Sequence, residues 1–206
     1  MNRILSEIKS LKKTGVKKLV DNRLKELEEL GKNKNTVFKE LCFCLLTANY
    51  SAEGGIKIQK CINEGFFTLS EEELTGELKK LGHRFPAARS KYIVEARKHC
   101  EPLSFLTKTM KDTALREWLV KNVKGLGYKE ASHFLRNIGY KNLAIIDFHI
   151  IDALVKGDVI ERPKTLTPKR YLEIERKLQE IAEKTNLSLA ELDFYLWYME
   201  TGKVLK

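Results

Sequence analysis

The sequence predicts an all-α protein of about a dozen helices, and three observations carry that prediction. Apolar residues recur at helical spacing through most of the chain: Ile4, Ile8 and Leu11 form one stripe, and Leu19, Leu24, Leu27 and Leu30 another. Helix-start signals recur between such stripes. No run of alternating β-branched residues is long enough to build a sheet.

Taken along the chain, each boundary has a local cause. Ser70-Glu-Glu-Glu73 and Ser188-Leu-Ala-Glu191 have the spacing of capping boxes, in which the Ser oxygen and the Glu carboxylate satisfy orphan amides reciprocally. Pro86, Pro102 and Pro163 fall where a missing N–H is tolerated, at element boundaries. Gly125 and Gly127 bracket Leu126 in a tight turn between a helix ending near Asn122 and one beginning near Tyr128. Leu143-Ala-Ile-Ile146 could form an isolated strand, and Asp147 reads as the N-cap of a helix from Phe148 to Lys156. Thr167-Pro168 fits an N-cap followed by proline at the first helical position.

The composition bounds the function. The 206 residues are 43% hydrophobic and 32% charged, enough to bury a core. Lys plus Arg number 38 against 28 acids, a formal charge of +10 that points to a polyanionic partner, nucleic acid or an anionic membrane surface, with an ordinary basic surface as the alternative. The longest charge-free stretch, Leu41 to Ala52, is far short of the ~20 residues that span a bilayer, and no strongly basic amphipathic segment suggests a membrane surface. The early charges Arg3 and Glu7 leave no apolar signal-peptide core, so a cytoplasmic protein is expected. Cys42, Cys44, Cys61 and Cys100 lack the spacing of a zinc site, an iron–sulfur cluster or a disulfide framework and read as buried, reduced thiols. No metal site is expected.

The chemistry concentrates between Val123 and His149. A glycine turn opening a helix leaves the first amides of that helix facing outward, with the positive end of its dipole behind them, and so makes a phosphate site. Glu130 and the lack of a preceding strand rule out the dinucleotide fingerprint. An apolar residue before Lys124, the apolar Leu126 between the glycines and Ala131 four residues beyond Gly127 give the pattern of a helix-hairpin-helix, a grip on the DNA backbone through Lys124, Gly125 and Gly127. Lys129 enters the second helix where the dipole disfavours an added cation, which suits an amine that must react neutral. His133 follows at i+4, placed to support that amine. Asp147 comes 18 residues after Lys129, and its roles as helix cap and as stabiliser of developing positive charge are compatible. His149 reads as a structural hydrogen-bonding residue and Asp152 as a pairing acid.

The hairpin, Lys129 and Asp147 resemble the helix-hairpin-helix DNA glycosylase superfamily. Within it the chain is similar to the compact archaeal type of 8-oxoguanine DNA glycosylase/AP lyase, on Leu45-Leu-Thr-Ala-Asn49, Lys129-Glu-Ala-Ser-His-Phe-Leu-Arg136, Ala144-Ile-Ile-Asp147 and the tail to Lys206. Two departures stand out: Lys124 replaces the usual proline before the first hairpin glycine, and the four-cysteine cluster of endonuclease III relatives is missing. The resemblance implies a bifunctional repair enzyme that extrudes a damaged nucleotide. Lys129 would attack C1′ and Asp147 would offset the charge on the sugar, and the Schiff base would permit β-elimination without a cofactor. It further implies that Asn49 fills the gap left by the base, that Phe85 and Trp197 stack on that base, and that the terminal carboxylate of Lys206 accepts the N7–H of 8-oxoguanine.

The fold expected on this resemblance has two helical lobes with the active cleft between them. One lobe runs from 34 to 140 with the hairpin near 123–129, and the other joins 1–33 to 141–206. The expected partner is double-stranded DNA containing oxidised guanine, bound by a monomer, with Lys12, Lys13, Lys17, Lys18, Lys79, Lys80 and Lys121 adding non-specific grip. Two rival readings are a non-catalytic helix-hairpin-helix module, in which Lys129 is one more phosphate contact, and a glycosylase for oxidised pyrimidines or mismatches.

Overall fold

A computed structural model describes all 206 residues of the chain. It contains thirteen α-helices and one short 3₁₀ turn, with no strand. The helices are α1 (Asn2–Leu11), α2 (Val16–Leu30), α3 (Lys34–Thr47), α4 (Ala52–Ile62), α5 (Gly65–Thr68), α6 (Glu71–Lys80), α7 (Pro86–Ala96), α8 (Cys100–Thr109), α9 (Asp112–Asn122), α10 (Tyr128–Asn137), α11 (Phe148–Lys156), α12 (Pro168–Thr185) and α13 (Leu189–Thr201). The start signals act as the sequence suggests. Both capping boxes form, at Ser70/Glu73 and Ser188/Glu191, and Thr167 caps α12 ahead of Pro168. The chain divides into two compact units, Leu30–Ile138 and Met1–Glu29 with Gly139–Lys206.

The first unit is built around α3. Asn33 starts this helix by accepting from the amides of Asn35 and Thr36, and every residue from Leu41 to Thr47 is buried. A helix apolar all round belongs in a core, and α4, α7, α8 and α10 pack on it. Charged side chains enter that core, among them Glu40, Arg116 and Arg136. The Glu40 carboxylate, 3% exposed, accepts from Asn137 Nδ2 at 2.9 Å and from Gln59 Nε2 at 3.1 Å. The Arg136 guanidinium donates in turn to Asn137 Oδ1 at 3.0 Å. The last turn of α10 is thereby fixed to α3, since a buried carboxylate must keep its donors or bear a large desolvation cost.

The second unit gathers α1, α2, α11, α12 and α13 around Ile4, Ile8, Val20, Leu154, Ile174, Ile181, Phe194 and Leu196. Its second apolar stripe differs from the sequence reading. Val16, Val20 and Leu27 are the buried residues of α2, while Leu19 is 54% exposed and Leu24 and Leu30 are half-buried. The burial follows the valines, which lie at i, i+4 and i+11 with Leu27, so the buried face is turned from the leucine row. The isolated strand that Leu143–Ile146 could form is absent, in keeping with the all-α prediction. These residues are buried and belong to no helix or strand, and side chains of α12 satisfy their backbone in place of a neighbouring strand. Glu175 accepts from Ala144 N–H at 2.9 Å, and the Tyr171 hydroxyl donates to Ala144 O at 2.7 Å and accepts from Ile146 N–H at 3.2 Å. The cysteines correct the reading in part: Cys42 and Cys44 are buried, Cys100 is half-buried and Cys61 is exposed.

Candidate active site

In the first unit the hairpin forms where the glycines predict. α9 ends at Asn122, Leu126 N–H donates to Val123 O at 3.2 Å, and α10 begins at Tyr128. Gly125 is required twice over. Its φ of +92° lies in the region L side chains avoid, and a Cβ there would stand 2.5 Å from Tyr92 Cδ2. Leu126 is buried between the glycines and Ala131 is buried in the first turns of α10. Lys124 projects outward, with Nζ 3.7 Å from Glu95 and 5.7 Å from the centre of the Tyr92 ring.

The N-cap of α10, Gly127, has no side chain to offer, and α1, α5, α7, α8 and α9 likewise start without a side-chain cap bond. Glu130 reaches back from the third helical position, and its Oε2 accepts from Gly127 N–H at 3.2 Å. Its Oε1 lies 3.6 Å from Lys129 Nζ. The bare electropositive helix end expected around Lys129 is thus corrected: a carboxylate sits there and pairs with the lysine. His133 is buried and packs edge-on against Phe43 of α3, with ring centres 5.6 Å apart.

The same unit holds Asn49 and Phe85. Asn49 follows the last residue of α3 and its cap Ala48, is exposed, and adopts φ +58°. Phe85 precedes Pro86 at the start of α7 and is 37% exposed, with the guanidinium carbons of Arg84 and Arg89 at 5.0 and 5.8 Å from its ring centre.

The second unit holds Asp147, Trp197 and Lys206. Asp147 is the N-cap of α11, and its Oδ1 accepts from Ile150 N–H at 2.9 Å. The buried segment before it, hung on Tyr171 and Glu175, fixes where that carboxylate stands. Phe148, next in the chain, is 64% exposed and lies against His149 with ring centres 3.8 Å apart. His149 meets Trp197 edge-on at 4.4 Å. His149 therefore serves as an aromatic plate, not the hydrogen-bonding residue the sequence suggested. Trp197 and Lys206 are half-buried. Asp152 is indeed a pairing acid, bonded to Arg162, which holds its carboxyl below the usual range. No group of three or more His, Cys, Asp or Glu side chains is arranged to hold a metal ion.

Glu130, Tyr92, His83 and Arg89 escaped the sequence reading. Only Glu130 had a legible signal, since a Glu three residues after a helix cap is half a capping box.

The chain matches the family model described as 8-oxoguanine DNA glycosylase over residues 20–187. It belongs to that family. An 8-oxoguanine DNA glycosylase/AP lyase of Korarchaeum cryptofilum is 54% identical over 205 residues, covering 98% of each chain. The crystal structure of the Methanocaldococcus jannaschii 8-oxoguanine glycosylase/lyase, in complex with a 15mer DNA containing 8-oxoguanine, aligns with a TM-score of 0.96 at 50% identity. The alignment covers 99% of this chain and 100% of that one. The Thermotoga maritima 8-oxoguanine DNA glycosylase aligns over the full length of both chains at 44% identity and a TM-score of 0.94. An endonuclease III at 18% identity shares the fold alone, with a TM-score of 0.57. The family is all-α and the absence of strands here agrees with it. No helix of the chain is long and apolar enough to cross a membrane.

Proposed function

We propose that this chain excises 8-oxoguanine from double-stranded DNA and cuts the strand at the resulting site, with Lys129 as nucleophile and Asp147 as the group that stabilises positive charge on the sugar. Lys129 attacks C1′ as the free amine. The C1′–N9 bond breaks with its electron pair going to the base, which takes up the proton released by the amine. Opening of the sugar ring sends the C1′–O4′ pair to O4′ and leaves a protonated imine. Loss of a C2′ proton then expels the phosphate on C3′, nicking the strand 3′ to the lesion, and water hydrolyses the imine to return the amine. Asp147 contributes a carboxylate whose position is set by its bond to Ile150 N–H, and a prepositioned charge costs no reorganisation at the moment of reaction.

The remaining residues take the roles their surroundings allow. The amides opening α10, with Gly125, Gly127 and Lys124, hold the DNA backbone, and the further lysines add salt-sensitive grip. Asn49 fills the space the base leaves; Phe85, Trp197 and Lys206 meet the base itself; His133 supports the start of α10 from within the core. The protein acts as a monomer in the cytoplasm.

The observation that carries this reading is Lys129, set at the start of the hairpin helix in a chain 54% identical to a glycosylase/AP lyase. Incubation with an 8-oxoguanine duplex and borohydride tests it. A covalent protein–DNA adduct is expected, with Lys129→Gln losing the adduct and keeping DNA binding. Absence of any adduct with the unaltered protein overturns the lyase reading, and normal trapping by Lys129→Gln places the nucleophile elsewhere.

A further inference from the structure

We propose that His83 and Arg89 form a two-point clamp on the C-terminal end of α3 that positions Asn49 and Phe85 for extrusion of the nucleotide. This rests on the reading of Asn49 and Phe85 as DNA-contacting residues. The last carbonyls of an α-helix have no partner within the helix and must find one elsewhere. α3 ends in Ala48 with extended backbone and Asn49 at φ +58°, without a glycine, and two of its final carbonyls are met from far along the chain. His83 Nε2 lies 2.9 Å from Leu46 O, and Arg89 Nη2 donates to Ala48 O at 2.5 Å.

His83 is committed at both ring nitrogens. Phe85 N–H can only donate, so His83 Nδ1, at 3.0 Å, accepts. Nε2 must then carry the hydrogen that goes to Leu46 O, which fixes the neutral Nε2–H tautomer. One buried imidazole thus ties the backbone of Phe85 to the end of α3. Tyr50 adds to the joint: its ring lies 4.3 Å from that of His83, and its hydroxyl donates to Gly82 O at 3.3 Å. Arg89, also buried, spans the other side. Its guanidinium is 5.8 Å from the Phe85 ring and 5.8 Å from the ring of Tyr92, the ring that forbids a side chain at Gly125.

These bonds share a destination. Both side chains spend their hydrogen bonds on backbone that adjoins an exposed side chain, Asn49 on one strand of the joint and Phe85 on the other. The turn at residues 46–50 and the loop at residues 82–85 are joined into one frame, so the two exposed groups move together. Groups that must enter a duplex while a base leaves it gain most from a frame fixed in advance.

The experiment measures extrusion and chemistry separately. Fluorescence of a 2-aminopurine beside the lesion reports extrusion, and borohydride trapping at a preformed abasic site reports chemistry. His83→Gln keeps an amide N–H where Nε2 stood and loses the acceptor for Phe85; His83→Asn keeps that acceptor and loses the bond to Leu46. With these two variants and Arg89→Lys, the extrusion rate is expected to fall more than the trapping rate, by about tenfold or more. Asn49→Ala and Phe85→Ala serve as references. Unchanged extrusion in the clamp variants, with slow extrusion in the references, overturns the clamp. Equal losses of extrusion and trapping overturn it too, because they mark a purely structural role. Unchanged extrusion in Asn49→Ala and Phe85→Ala instead overturns the underlying reading of those residues.

Discussion

The two residues assigned to the chemistry both stand at helix starts, and the two starts are built in opposite ways. α11 opens on Asp147, whose own carboxylate satisfies the amide of Ile150. α10 opens on Gly127, which has nothing to offer, so its own amide is met by Glu130 from inside the helix and its first turn receives no side-chain cap. Every helix start poses the same problem of orphan donors. On the proposed function the cap of α11 is also the functional group, whereas the start of α10 leaves its first amides without a side-chain cap, as do the starts of α1, α5, α7, α8 and α9. The local rule is kept at α11 and relaxed at α10, where the hairpin glycine and the reach of Glu130 set this start apart from the other uncapped ones.

The largest expected effect tests the α11 half of this comparison. Asp147→Asn keeps a side-chain oxygen for Ile150 N–H, and Asn caps helices about as well as Asp. Single-turnover excision of 8-oxoguanine is therefore expected to fall by roughly 10²- to 10⁴-fold with little change in melting temperature. Asp147→Ala removes cap and charge together and is expected to lose a further ~1 kcal/mol of stability. Excision at near-normal rate in a well-folded Asp147→Asn would reduce Asp147 to a cap.

The next effect tests the hairpin. Gly125→Ala places a Cβ on a residue at φ +92° and 2.5 Å from Tyr92. A cost on the order of 1–3 kcal/mol is expected in urea unfolding, together with weaker DNA binding as the turn shifts. Trapping at saturating DNA should survive, because Lys129 itself is untouched. Loss of trapping with affinity preserved would reverse the division of labour between turn and lysine.

A smaller effect separates the unit that holds α10 by its response to acid. Burial, reinforced by the charge of Arg89 and opposed by the bond to Leu46 O, holds His83 below the usual imidazole range, and burial lowers His99 in the same unit. A histidine depressed in the folded state binds fewer protons there than when unfolded, so stability falls as pH drops below about 6.5. His83→Gln, which cannot titrate, is expected to lose less stability than the unaltered protein between neutral and mildly acid pH. Identical pH profiles would show that folding leaves the affinity of His83 for its proton unchanged.

The asymmetry between the two starts also decides what the sequence could show. The helix starts, the hairpin glycines and the cap at Asp147 were legible because each is a contact between residues a few positions apart. His83 and Arg89 were not, since their partners Leu46 and Ala48 lie about 40 positions away and nothing local requires them. The segment Leu143–Ile146 left a strand open for the same reason: the apolar run was visible, whereas the Tyr171 and Glu175 side chains that replace a neighbouring strand were not. The leucine row of α2 misled because helical spacing identifies several faces and only packing selects one.

The smallest expected effect is the most direct test of the open start. Glu130 places a negative charge where the DNA phosphate is proposed to bind, at Gly127 N–H and beside Lys129. Glu130→Gln keeps an oxygen for that amide and removes the charge. A carboxylate at a helix N-terminus stabilises the free helix by about 0.3–1 kcal/mol, and the same interaction opposes an incoming anion. The variant is therefore expected to melt slightly earlier and to bind an undamaged duplex a few-fold more tightly at low salt, about what 0.3–1 kcal/mol implies. The counterpart at α11, Asp147→Asn, is expected to leave affinity for undamaged DNA nearly unchanged, because the proposed function sets that carboxylate against the sugar and not the backbone. Weaker binding by Glu130→Gln would mean that the carboxylate orders the turn more than it repels phosphate, and the start of α10 would then be as closed as that of α11.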